Sequence, residues 1–265
     1  MLAQAAGAAY AGRGLAGAAV LFASSYLFAS AHPAVNTFFA GTPRLVIIEA
    51  KCQGSLMQEK DLSALKYELI DGARQVSRLN LMPLTQGNLS LRDPNSGLIL
   101  ITPHDFPYDQ LQPADVVVMN LAGDVVAGER EPSHEAPVHL AVYEKRCDAG
   151  AIVHAEPVYT NLFGVLHKAI APLHVNTLID VGGDVPVMPF APSGSREFGY
   201  AMLEVMGARN AVVWANHGML ALAGSLGKAI HCTVMVEMSA QLHHMALLHG
   251  QPQEIPQCYH DRLVG

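Results

Sequence analysis

Residues 87–101 read Gly-Asn-Leu-Ser-Leu-Arg-Asp-Pro-Asn-Ser-Gly-Leu-Ile-Leu-Ile. A Gly-Asn turn leads into a strand, Asp93-Pro94-Asn95-Ser96-Gly97 forms a hairpin turn, and Leu98 to Ile101 returns as a second strand. Upstream, Leu62, Leu65, Leu69, Ile70, Ala73, Val76 and Leu79 recur at three- and four-residue steps, which predicts an amphipathic helix over 61–79. Downstream, Val116 to Met119 and Val125-Val126, joined through Ala122-Gly123-Asp124, read as a second hairpin.

A short helix is expected over 137–146, opening at Pro132-Ser133 with Ser133 as N-cap and Glu135 in the first turn. Ala151 to Val153 reads as a buried strand and 159–167 as a helix. Residues 211–214 and 219–222 read as a strand pair around Asn216-His217-Gly218. The last helix, over 225–249, would run roughly 35 Å at ~1.5 Å per residue. Helices mixed with hairpin-linked strands, without an internal repeat or linker, predict one α/β domain with a largely antiparallel sheet.

Composition bounds the rest. The chain has 265 residues, 51% hydrophobic and 15% charged, with net charge −7. That excludes a disordered chain, and the acidic balance argues against a nucleic-acid partner. The apolar excess is uneven: residues 1–57 hold only four charges, Arg13, Arg44, Glu49 and Lys51. Within them Leu15 to Ala31 is uncharged and ends in Ala29-Ser30-Ala31, which has the form of a leader-cleavage site. Three readings stay open for this stretch: a leader giving a mature start near His32, a membrane anchor, or an apolar extension. Cys52, Cys147, Cys232 and Cys258 are far apart and form no CxxC pair, so separate reduced thiols and a cytoplasmic location are expected.

Thirteen histidines invite a metal hypothesis. In a strand, His-x-(His, Asp or Glu) presents two ligands on one face, but about two such triplets are expected by chance at this composition. The one present, His154-Ala155-Glu156, ends an apolar run, as a strand reaching an active-site rim would. His217 lies in a turn where Gly218 lets the backbone bend and the imidazole project. Glu135 reads either as a helix-start carboxylate or as a general acid/base beside a metal.

Five motifs occur together in this order: Gly87-Asn88-Leu89-Ser90 and Ile101-Thr102-Pro103, then Pro132-Ser133-His134-Glu135 with His139-Leu140-Ala141-Val142-Tyr143. Asp148-Ala149-Gly150-Ala151-Ile152-Val153-His154 and Asn216-His217-Gly218 complete the set. The set resembles the class II aldolase/adducin family over roughly residues 61–250. The resemblance implies a three-layer α/β/α sandwich, usually tetrameric, and a metal-dependent lyase making or breaking a carbon-carbon bond in a small hydroxy-ketone or sugar phosphate through an enediolate. It implies His154, Glu156 and His217 as ligands of a divalent ion, Zn²⁺ or else Mn²⁺ or Co²⁺. Glu135 would be the acid/base, with a pKa raised by burial. Gly87, Asn88, Ser133 and His104 would line the substrate's anionic end, and Tyr259 would reach a neighbouring subunit's site.

Two departures stand out: Glu156 replaces the usual second histidine, and His104-Asp105 replaces a usual Ser-Gly. Alternatives on the same scaffold are an adducin-head-like assembly domain, a decarboxylase, a dehydratase or an epimerase. The expected organisation is an extension over 1–57, a catalytic domain over 58–252 and a tail over 253–265.

Overall fold

The computed structural model describes residues 62–264; the leader, anchor and extension readings for residues 1–57 lie outside them. The chain runs α1 (Ser63–Arg78), β1 (Asn88–Arg92), β2 (Ile99–Ile101), β3 (Val117–Met119), β4 (Val125–Ala127), α2 (Ala136–Lys145), β5 (Ala151–Ala155) and α3 (Val158–Leu166). It continues α4 (Val175–Val181), β6 (Val187–Met188), α5 (Arg196–Met206), β7 (Ala211–Trp214), β8 (Gly218–Ala223), α6 (Leu226–His249) and α7 (His260–Val264). The eight strands form one sheet in the order β4-β3-β2-β1-β5-β8-β7-β6. Every neighbouring pair is antiparallel except β6 with β7.

Strand alternation divides the core in two. Leu89, Leu91, Val153, Ala155, Met219 and Ala221 face a layer containing Leu69, Ile70 and Val76 of α1, Phe163 of α3 and Ile230 and Val236 of α6. Ile99, Ile101, Ile152, Val212, Trp214, Leu220 and Leu222 face α2 and α5 through Val138, Leu140, Val142, Phe198, Met202 and Met206. The result is the expected α/β/α sandwich, with side chains one residue apart entering opposite layers. The hairpin turn at Asp93 holds because its carboxylate accepts from the amides of Asn95 (3.1 Å) and Ser96 (3.0 Å).

The N-terminus of α2 differs from expectation. Its N-cap is Glu135, with no side-chain cap bond, and Ser133 is two residues earlier. Ser133 still closes the turn: its Oγ accepts from Glu135 N–H at 3.3 Å and its carbonyl from Ala136 N–H at 2.9 Å. Glu135 is therefore left with its carboxylate free to point off the helix end. The C-terminal tail forms a short turn at 257–259 and α7, which packs on α4. Among the described residues no helix is long and apolar enough to cross a membrane.

Candidate active site

The site is assembled where β1, β5 and the β7–β8 turn meet the start of α2. Antiparallel pairing sets Asn88 opposite His154 and Trp214 opposite Gly218. His154 is buried, with its ring stacked on Trp214 at a centroid distance of 4.4 Å, and His217 meets both rings edge-on. The turn carrying His217 owes its bend to Asn216, whose φ is +58°, rather than to Gly218. Gly218 is required for space: a Cβ there would lie 2.6 Å from the Ala155 carbonyl oxygen and 3.0 Å from His154 Cε1. Gly87 is required twice over, by a φ of +79° and because a Cβ would lie 2.6 Å from the carbonyl oxygen of His154.

Glu135 sits at the centre. Its Oε2 accepts from Asn88 Nδ2 at 3.0 Å and lies 3.1 Å from His154 Nε2. Its Oε1 accepts from Ser193 Oγ at 2.8 Å and lies 3.5 Å from His217 Nε2. Burial pushes its pKa up, but His154, the Asn88 and Ser193 donors and His217 outweigh burial and bring it to about 2. This is opposite to the expected rise, because donors and imidazoles surround both carboxylate oxygens.

Ligand atoms of Glu135, His154 and His217 all lie within 4.8 Å of one another. The protonation pattern suits a cation: His154 Nδ1 lies 2.9 Å from the Met219 carbonyl oxygen, which can only accept, so Nδ1 carries the proton and Nε2 offers its lone pair to the cluster. Burial and the neighbouring His154 hold the pKa of His217 down, against Glu135 and Glu156, favouring its ligating neutral form. Two imidazole nitrogens and a carboxylate form a donor set for Zn²⁺ and related divalent ions. The residues present therefore fit a metal ion.

Glu156 lies beside this cluster, its Oε1 4.0 Å from His217 Nε2, and burial raises its pKa with help from Glu135 and against His217. The cluster and Glu156 open into a cavity of about 300 Å³ that also takes in Gly87, Asn88, His104 and Ser133. The amide nitrogen of Asn88 is engaged with Glu135, while Ser133 Oγ closes the turn into α2. Tyr259 is half exposed on the 257–259 turn and does not line the cavity.

Ser193 was not expected. It lies in Pro189-Phe190-Ala191-Pro192-Ser193-Gly194-Ser195, which has no periodicity to mark it. The one local signal is Ser195, whose Oγ caps α5 by accepting from Phe198 N–H at 3.1 Å. A second unexpected feature backs the site. Asn88, Ser90 and Arg92 on one face of β1 meet Glu135, His139 and Tyr143, four residues apart on α2. Ser90 Oγ lies 2.7 Å from His139 Nδ1 and 2.8 Å from Tyr143 Oη, and the Arg92 guanidinium donates to the Tyr143 carbonyl.

Two histidines and a carboxylate converging at a strand rim of an α/β/α sandwich define a candidate divalent-metal site. The chain belongs to the class II aldolase/adducin family: residues 67–244 match the family profile described as Class II Aldolase and Adducin N-terminal domain. It is 34% identical over 193 residues to the 5-methylthioribulose-1-phosphate/5-deoxyribulose-1-phosphate aldolase of Rhodospirillum rubrum, covering 73% of this chain and 86% of that one. It is 32% identical over 192 residues to the 5-deoxy-D-ribulose 1-phosphate aldolase of Bacillus thuringiensis serovar kurstaki, covering 72% and 90%. A solved L-fuculose 1-phosphate aldolase superposes with a TM-score of 0.73 at 34% identity, over 76% of this chain and 94% of that one. The protein is a lyase of the aldolase type.

Proposed function

We propose that the chain catalyses reversible aldol cleavage of a small hydroxy-ketone or sugar phosphate, with Glu135 as acid/base and His154, Glu156 and His217 as the ligands of a divalent ion, Zn²⁺ or else Mn²⁺ or Co²⁺. The observation that carries this is the placing of the Glu135 carboxylate against two imidazoles, with Glu135, His154 and His217 within 4.8 Å of one another; Glu156, the proposed third ligand, lines the same cavity with its Oε1 4.0 Å from His217 Nε2. A bound divalent ion supplies Lewis-acid stabilisation of negative charge developing on substrate oxygens.

The chain's own residues do the rest. Glu135, held as an anion, is ready to take the proton of the hydroxyl whose carbon-carbon bond breaks. Returning that proton to carbon completes cleavage. In the reverse direction the same carboxylate takes the proton from carbon. Asn88 and Ser193 hold the carboxylate plane still, and Gly87 and Ser133 shape the cavity beside it. An assembly-only domain of the adducin type has no use for this half-buried carboxylate held between two imidazoles by hydrogen bonds from Asn88 and Ser193.

Tyr259, exposed at 49%, is free to serve a neighbouring copy's site in a homotetramer. The three described cysteines are free thiols, which fits the cytoplasm. The catalytic unit is proposed to span residues 58–252, with 253–265 as a tail.

Metal analysis of the purified protein tests the reading. Wild type should hold about one divalent ion per chain, as four- or five-coordinate sites do, and His217→Ala and Glu156→Ala should lose it. Glu135→Gln leaves the three proposed ligands in place, so the ion should stay while turnover falls by about 100-fold or more. Metal-free wild type, or an active Glu135→Gln enzyme, overturns the assignment.

A further inference from the structure

Trp214, the single tryptophan of the chain, touches the ion cluster and takes no part in the proton transfer above. It is enclosed at the end of β7, and its ring contacts both imidazoles. It stacks on His154 with centroids 4.4 Å apart and planes 15° from parallel, and it meets His217 edge-on at 5.1 Å. Phe198, in the first turn of α5, meets the indole edge-on at 4.9 Å. Phe198, Trp214, His154 and His217 thus form one continuous set of ring contacts from the helical layer to the ligand atoms.

A hydrogen bond on one nitrogen leaves an imidazole free to pivot. The Met219 carbonyl, 2.9 Å from His154 Nδ1, sets the tautomer but not the tilt of the ring about that bond. The face of the indole removes the tilt. His217 Nε2 faces the carboxylates of Glu135 and Glu156, at 3.5 and 4.0 Å, and its ring is placed by edge contacts to Trp214 and His154. The backbone is placed separately: His217 N–H donates to the Trp214 carbonyl at 3.1 Å, and Ala215 N–H to the Met188 carbonyl at 3.0 Å. Those main-chain bonds do not depend on the side chain at 214, so a substitution there isolates the ring.

Core filling alone does not account for an indole here. A buried tryptophan ordinarily pairs its N–H, whereas Trp214 Nε1 is buried with no hydrogen-bond partner among the described residues. Leucine would suit a layer that already holds Leu220, Leu222 and Met202 and would leave no donor unpaired. What the indole offers and leucine lacks is a flat face for the His154 ring.

We propose that Trp214 is a positioning residue of the metal site: backed by Phe198, its ring holds the planes of His154 and His217 so that their Nε2 atoms converge on one divalent ion. The inference rests on the ligand assignment above and adds to it a residue that offers no ligand atom.

The test is a calorimetric titration of the chelator-treated full chain with Zn²⁺ and with Co²⁺, in wild type, Trp214→Phe, Trp214→Leu and Phe198→Leu. The d–d absorption of the cobalt-loaded proteins reads ligand geometry, and urea unfolding of the metal-free proteins is measured alongside. Trp214→Leu should bind both ions about tenfold or more weaker, the loss seen when a residue that orients a ligand is removed, with an altered cobalt spectrum. Trp214→Phe, which keeps a flat face, should stay within about threefold of wild type with the wild-type spectrum. Phe198→Leu should weaken binding by a smaller factor than Trp214→Leu.

A folded Trp214→Leu protein that binds as tightly as wild type with the same cobalt spectrum overturns the proposal and leaves the ligand assignment standing. Equal weakening in the Phe and Leu variants, in step with lost stability, assigns the effect to core volume and also overturns it. If Trp214→Leu fails to fold, Phe198→Leu decides: weaker binding with an altered spectrum upholds the proposal, and unchanged binding overturns it. Wild type that binds neither ion overturns the ligand assignment and this inference together.

Discussion

Glu135 accepts a hydrogen bond on each carboxylate oxygen, 3.0 Å from Asn88 Nδ2 and 2.8 Å from Ser193 Oγ. The two donors come from residues 105 positions apart, one at the start of β1 and one just before α5, so the carboxylate is gripped by tertiary structure. A hydrogen bond to a charged acceptor contributes about 1.5–3 kcal/mol, and here its value lies in fixing orientation and holding the anion. Ser193→Ala removes one donor without touching an imidazole. Turnover should fall about tenfold with KM and bound metal little changed, because orientation of the base matters more to the reaction than to substrate binding. Ser193→Thr should restore most of the rate. Steady-state kinetics beside metal analysis of the two variants checks this, and loss of metal in Ser193→Ala would show that the serine supports the ion cluster instead.

At the scale of elements, α2 and β1 are joined by a ladder of polar contacts rather than by apolar packing. Ser90 is fully buried and is the hydrogen-bonding partner of both His139 Nδ1 and Tyr143 Oη. Ser90→Ala would leave two buried polar groups unpaired, each at about 1–3 kcal/mol. The variant should lose about 2–4 kcal/mol of unfolding free energy in urea denaturation, with relaxation absorbing part of the loss. Catalytic efficiency should fall as well, since the same ladder ends in Asn88 and Glu135.

Part of this architecture is legible in the sequence. The periodicity of 62–79, the Asp93 turn and the strand pair around His217 are local signals, and each appears within a few residues of its expected bounds. The helix start at Glu135 is displaced from the expected one at Ser133, because Ser133 Oγ closes a turn that precedes the helix rather than capping it. In the segment 168–210 the only such signal is that of α5, with Ser195 as cap and Phe198, Met202 and Met206 at helical spacing. α4 is seven residues long, β6 is two, and Ser193 gains its role from packing with an element far away in the sequence. The lowered pKa of Glu135 is equally a tertiary property, since Ser193 and His217 help set it.

For the whole molecule, buried titratable groups beside the site make stability depend on pH. Burial, with His154 reinforcing it and Glu135 opposing it, lowers the pKa of His139 from 6.5 to about 3, and its side chain is fully enclosed. Between these values the unfolded chain binds a proton at this position and the folded chain does not. Stability must therefore rise with pH across that window and fall as acid is added. Glu135 acts in the same direction over a lower window: its folded pKa of about 2 lies below the ordinary 4.5, so its contribution is present above 4.5 and is lost as pH falls toward 2. Glu156, whose pKa is raised by burial, opposes both in part. Acidification from pH 6.5 to 5 should thus weaken the metal-free protein by about 1 kcal/mol per pH unit on average, below the ~1.4 kcal/mol of one full proton because the unfolded histidine is only half charged at pH 6.5. Urea unfolding at pH 7.5, 6.5, 5.8 and 5 in the presence of chelator measures the slope. His139→Gln should reduce it, because the replacement has no proton to gain, leaving the part that comes from His217, whose pKa burial also holds down. A variant with the wild-type slope would mean that another group, outside this ladder, controls acid stability.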